Sequence, residues 1–396
     1  MSDFTAPKGW DFASAPKRLI AFISSHSLSL PTMGRKPRLH GLHGLRAMAA
    51  LMVVLFHLHG ILGLAVPDSL RIVTTHFGFG VYIFFILSAF SLAFSNPRAI
   101  DDVGGFYLKR LFRIAPLFYV MIVVYSVCFE APSIPVLISN LTFTFNLIPG
   151  KHQSVVWAGW TIGVEMLFYL MLPIILVVCA SNIALAVGAV VTVLVSYSSY
   201  FLIAQSIASV PTYSLMAFPT NLAVFFAGIV AYRIYLGVQD RHAKPVALIA
   251  ATVALVAMAL LLGSPGLFLF RDGQMNMLVW IYAFAAACLW QALWPCWPFN
   301  TRAAQWAGER SYSLYLLHPL LIYSLGDVYT LVYRELSSIG NWAFLACAAI
   351  TLPLLFALSA FTYWLIEGPG YALGTYLRRR RAAARSDRTA SLGTTP

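Results

Sequence analysis

Residues 245–263 read Pro245-Val246-Ala247-Leu248-Ile249-Ala250-Ala251-Thr252-Val253-Ala254-Leu255-Val256-Ala257-Met258-Ala259-Leu260-Leu261-Leu262-Gly263, with no formal charge. At 1.5 Å per residue such a stretch makes a helix of roughly 28 Å, the hydrocarbon thickness of a bilayer. Residues 183–203 form a second uninterrupted stretch of this kind. Working outward, further apolar stretches predict helices near 46–65, 78–95, 113–129, 164–180, 216–235, 276–294, 311–326 and 342–365, about ten spans in all. Of 396 residues, 60% are hydrophobic and 10% charged, with a mean hydropathy of +0.78. Soluble domains are about 45–50% apolar and about 25% charged. A soluble enzyme, a disordered chain and a fibrous repeat are thereby excluded. The alternation of β-barrel strands is absent, so the fold class is all-α, a polytopic integral membrane protein.

Residues 131–149 are apolar but interrupted by Pro132, Pro135 and Pro149, and read as an interfacial or re-entrant loop. Charge supports that reading. With ten spans and a cytoplasmic N-terminus, all but Arg71, Lys151, Arg271 and Arg334 of the 26 Lys and Arg fall on the cytoplasmic side, as the positive-inside rule requires. An eleventh span would break this alternation, so both termini are expected in the cytoplasm. The chain divides into an N-terminal tail (1–40), a transmembrane domain (41–371) and a basic C-terminal tail (372–396). The run Arg378-Arg379-Arg380-Arg381 reads as a lipid-headgroup anchor rather than a nucleic-acid site. Residues 1–40 lack a signal-peptide core, although Leu19 to Leu30 could lie as a short helix on the membrane. Five scattered cysteines, Cys128, Cys179, Cys288, Cys296 and Cys347, read as small core residues without metal spacing. No internal repeat is visible.

Ionisable groups within a bilayer are functional candidates by default. Arg46 and His57 lie eleven residues apart in the first helix, three turns plus about 20°, so they share one stripe about 16 Å apart. A neutral imidazole there suits general-base work; the plain alternative is a hydrogen-bonded packing histidine. His59 points nearly the opposite way. Arg110 and Arg113, at i and i+3, share a face at the start of the third helix. Pro116 would fall in its first turn. Paired guanidinium forks suit phosphate, and positive-inside anchoring is the plain alternative. Glu165 is the only formal charge in the fourth span. It either orients an imidazole, contacts an acceptor, or is an interfacial carboxylate at a helix N-terminus. His318 precedes Pro319, which frees the Tyr315 carbonyl and predicts a kinked segment that a structural histidine could serve. Glu367-Gly368-Pro369 reads as the end of the last helix, and Trp294 to Pro298 as an interface belt.

Taken in order, these motifs resemble the membrane acyltransferase 3 family of bacterial surface-glycan O-acyltransferases, from about Gly41 to Tyr371. Arg46 and His57 match its Arg-x10-His, and Arg110 and Arg113 its Arg-x-x-Arg. Trp160 to Tyr169, Ser311 to Pro319 and Glu367 to Pro369 match three further signatures. Two positions depart: Tyr82 stands where the family often has Asp, and Ala89 replaces a usual Gly.

The resemblance implies acyl transfer, usually of acetyl, from cytoplasmic acyl-CoA to a carbohydrate hydroxyl beyond the bacterial inner membrane. Arg46, Arg110 and Arg113 would hold the CoA phosphates. His57 would act as base or transient acyl carrier, with Glu165 or His318 orienting it or the acceptor. No metal is implied; the partners are acyl-CoA, a carbohydrate, the lipid bilayer and glycan-assembly proteins. Sugar contacts would lie in the loop 130–160, at Lys151, Trp157 or Trp160. The rival reading is a transporter or flippase for a glycan or lipid-linked sugar.

Overall fold

The computed structural model describes residues 39–263 and 273–392. The expected surface helix at Leu19 to Leu30 lies outside the described residues. Ten long helices occupy the ten predicted regions: α1 (His40–Gly60), α2 (Gly80–Ser95), α3 (Val103–Cys128), α4 (Trp160–Val178), α5 (Asn182–Ser206), α6 (Leu222–Val238), α7 (Ala243–Gly263), α8 (Gly273–Leu293), α9 (Ser311–Ser324) and α10 (Ala343–Thr362). Eight stretches among the described residues are long and apolar enough to cross a membrane on their own. A ninth is formed by α9 with Gly326–Glu335, bent by 63°. Within α8 the apolar stretch, Val279–Leu293, is shorter than these. No strand occurs among the described residues.

Contacts between connections sort the bundle into two faces. On one, the Asp102 carboxylate before α3 pairs with Arg378 beyond α10 at 2.9 Å. There too Gly44 lies against the Phe299 backbone, and Arg233 at the end of α6 donates to the Cys179 carbonyl after α4. On the other, Tyr333 donates to the Ala65 carbonyl. Asn146 in the α3–α4 connection grips the α5–α6 connection, donating to the Met216 carbonyl and accepting from the Phe218 amide, both at 2.9 Å. An even number of spans therefore returns both described ends to the first, basic face. Residues 131–149 do not span: they form a helix of eight residues, Ile134–Leu141, and a 3-10 turn, Phe145–Leu147.

α2 and α6 form the centre. Phe225 of α6 stacks on Phe85 of α2 and Phe168 of α4, with centroids 4.5 and 4.1 Å apart. Gly228 faces Ala89 so closely that a Cβ would come within 2.9 Å of the alanine's own. The extra methyl at Ala89 is thus accommodated by a glycine on the opposing helix. α5 is the outlier: only 11% of its membrane window is buried, as expected of a helix packed mainly against lipid.

Two expectations are corrected. α3 begins at Val103, not near 113, so Pro116 sits in the helix interior rather than in a first turn. It strips the Phe112 carbonyl of its amide partner, and Gly370 packs against that oxygen. Nor does the last helix end at Glu367. Residues Tyr363–Glu367 form a π turn, and Gly368–Leu392 continues as helix, held along α3 by Gly370 and Gly374 and by the Asp102–Arg378 pair.

Candidate active site

A cavity of about 510 Å³ opens at the basic face between α1, α2, α3, α4 and α9. Its α2 wall runs from Ser95 to Val81, roughly 21 Å at helical rise. Arg46 from α1 and Lys109, Arg110 and Arg113 from α3 all line it, with Glu165 from α4 as the only carboxylate. None of these four cations forms an ion pair among the described residues. The Arg110 Nε atom is buried without a partner, and the Arg46 Nη2 atom reaches only the Leu87 carbonyl at 3.5 Å. Desolvated guanidinium groups lacking a counter-charge are costly. Four cations against one carboxylate leave the cavity with an excess of positive charge, chemistry that suits a phosphate.

Glu165 accepts a hydrogen bond from Ser88 across the cavity wall and interacts with Tyr169 one turn along α4. It shares the arginine cavity, and no hydrogen bond joins it to either His57 or His318. The cations meet because Arg110 and Arg113 lie on the α3 face that lines the cavity, as does Arg46 on α1, and Lys109 beside them joins the lining. Its adjacency to Arg110 was the available signal in the sequence. Tyr169 and Tyr312, also in the lining, fall inside two of the matched signatures, and Tyr371, which lines it too, lies two residues past the third.

His57 and His318 form a pair beyond the cavity. Their rings lie 4.9 Å apart, with His318 Nε2 3.0 Å from His57 Nδ1. The Tyr315 carbonyl freed by Pro319 is taken by His318 Nδ1 at 2.5 Å. A carbonyl only accepts, so His318 carries its proton on Nδ1 and offers the Nε2 lone pair to His57. His57 Nδ1 faces two acceptors, that lone pair and the Val53 carbonyl at 3.0 Å, so it is the donor. The remaining His57 nitrogen, Nε2, carries a lone pair and makes no hydrogen bond among the described residues. The Val53 carbonyl and His318 together thus hold His57 in one tautomer, an arrangement open to general-base or nucleophilic chemistry.

Other singled-out residues have quieter places. Trp157 packs among Phe129, Tyr323 and Tyr125, and Trp160 against Phe85; Lys151 is exposed. Tyr82 is buried beside Phe79 and is not in the cavity lining. Glu367 is buried and accepts from Ser313. His59 bonds the Leu64 carbonyl and borders a separate, smaller pocket on the opposite face.

A helical bundle with an ion-lined internal cavity and an oriented histidine pair defines a polytopic membrane protein with an embedded chemical site. Residues 39–360 match the acyltransferase 3 family, described as an acyltransferase domain, and the chain belongs to that family. It is therefore a membrane acyltransferase, and the transporter reading gives way to an enzyme. No curated protein and no solved structure is similar enough to count as a match.

Proposed function

We propose that this enzyme transfers an acyl group, acetyl above all, from acyl-CoA to a hydroxyl of a carbohydrate such as a lipopolysaccharide or exopolysaccharide unit across the bacterial inner membrane. The basic face is then cytoplasmic, as its Lys and Arg content requires. One observation carries the reading: a cavity lined by three guanidinium groups outside any ion pair among the described residues runs from that face to Tyr315, whose ring meets that of His318, the partner of His57. Arg46, Arg110 and Arg113 would hold the CoA phosphates, the pantetheine arm would follow the α2 wall, and the thioester would arrive near Tyr315, below the histidine pair.

His57 Nε2 then has two routes. As base it takes the proton of the acceptor hydroxyl while the oxygen attacks the thioester carbonyl; the C–S bond breaks and the departing thiolate leaves with a proton as CoA-SH. As carrier it attacks the carbonyl itself, expels the thiolate, and passes the acyl group to the hydroxyl in a second displacement. In either route His318 acts through His57 as a positioning residue.

The test compares surface glycans by mass spectrometry from hosts carrying wild type or His57→Ala at equal membrane abundance. Loss of one acyl modification with glycan amount unchanged is the expected result, and the modified sugar identifies the acceptor. Unaltered acylation removes His57 from the chemistry. Intact-protein mass spectrometry after mixing with acyl-CoA alone separates the routes, since only the carrier route leaves an acylated enzyme.

A further inference from the structure

The residues lining the cavity farthest from the basic face are Val81 on α2, Thr161 on α4 and Tyr315 on α9. Gly80, beside Val81, packs on the Ala49 carbonyl and the Val53 side chain of α1. His57 bonds the Val53 carbonyl. The cavity therefore closes short of His57, with Tyr315 at its inner end. Its ring meets Phe84 edge-on at 5.8 Å and His318 at 5.5 Å. Its hydroxyl donates to the Ala158 carbonyl and accepts from Thr161, both at 2.9 Å. Its own carbonyl holds His318. Tyr315 is thus tied at both ends, while Phe84 is partly open to the cavity.

We infer that Phe84 and Tyr315 determine which acyl chains the enzyme accepts, by closing the cavity where the chain must extend towards His57. The inference rests on the cavity being the acyl-CoA site. A donor anchored by its phosphates cannot retreat, so its reach is fixed and its acyl carbons must fit between two aromatic rings. Acetyl adds one methyl beyond the carbonyl; every further methylene must displace a ring in a packed interior. Tyr315 can yield only by breaking two hydrogen bonds, which makes it a stiffer limit than an aliphatic wall.

The experiment measures equilibrium binding of CoA, acetyl-CoA, butyryl-CoA and hexanoyl-CoA to the full-length protein in lipid nanodiscs. Wild type is expected to bind CoA and acetyl-CoA alike and hexanoyl-CoA at least about tenfold more weakly, in line with the cost of surplus methylenes in a shaped pocket. Phe84→Ala should bring the hexanoyl-to-CoA ratio to within about threefold, with Tyr315→Phe, which keeps the ring but loses its tether, lying between. Should Phe84→Ala fail to fold, Phe84→Leu reads the same ratio. CoA binding with no chain-length discrimination, or discrimination unchanged by these substitutions, overturns the inference while leaving the donor site standing. Failure of wild type to bind CoA itself removes the donor reading, and this inference falls with it.

Discussion

The two ends of α1 solve opposite problems. Around Arg46 the cavity gathers four positive groups against a single carboxylate, Glu165. Around His57 one turn of α1, the carbonyl freed by Pro319 and a second imidazole account for three of the four ring nitrogens in the pair. The first arrangement is incomplete until an anion arrives and is sensitive to charge. The second is nearly complete by itself and is sensitive to geometry. Binding and chemistry are thus separated along one helix, and substitutions at either end should fail in different ways.

The sharpest test of that division is His57→Ala. Acyl transfer should fall by about 10³-fold, with affinity for acyl-CoA within about twofold of wild type, read by paired turnover and binding measurements. A large loss of affinity would dissolve the distinction between the two ends. At the other end, Arg113→Ala should raise the KM for acyl-CoA about 10- to 100-fold, the worth of a charge-assisted hydrogen bond. The kcat should change far less, and wild-type affinity should itself weaken with added salt. His318→Gln should lower kcat about tenfold at unchanged KM for acyl-CoA; a matching rise in KM would make the residue structural only.

The smallest effect lies off both ends, in the α3–α4 connection. His152 is buried against Tyr213 and bonds Thr212, and burial holds its pKa below the usual histidine value. The neutral form favours docking, so its contribution is present above about pH 6.5. It is lost as pH falls towards the folded value, because the undocked ring binds the proton more readily. Amide exchange in 142–159, corrected for intrinsic rate, should rise between pH 7 and pH 5, and His152→Gln should abolish that dependence.

Much of this was legible because hydrophobic length and helical phase are local properties. The spans followed from apolar runs. The in-phase Arg46 and His57 held because α1 is unbroken between them. Pro319 correctly freed the Tyr315 carbonyl, a consequence of missing one amide. What occupies that carbonyl, and the meeting of His318 with a ring 261 positions away, depend on how α9 packs on α1 and leave no trace in spacing. Glu165 illustrates the same gap. Its place in the fourth span was evident, whereas its company of arginines came from α1 and α3. The apolar run starts later than α3 does because the polar turn before Arg110 is helical, with Asp102 as its cap, and a polar turn of helix has no hydrophobic signature.

The π turn at Tyr363–Glu367 has a consequence for register. A π turn accommodates one residue more than an α turn of the same helix, and one residue corresponds to about 100° of rotation. Everything from Gly368 onward is dialled round by that amount relative to α10. Gly370 and Gly374 thereby meet α3, and Tyr371 reaches the cavity mouth. Deleting a single residue from this turn would leave a more regular helix with the wrong side facing inward.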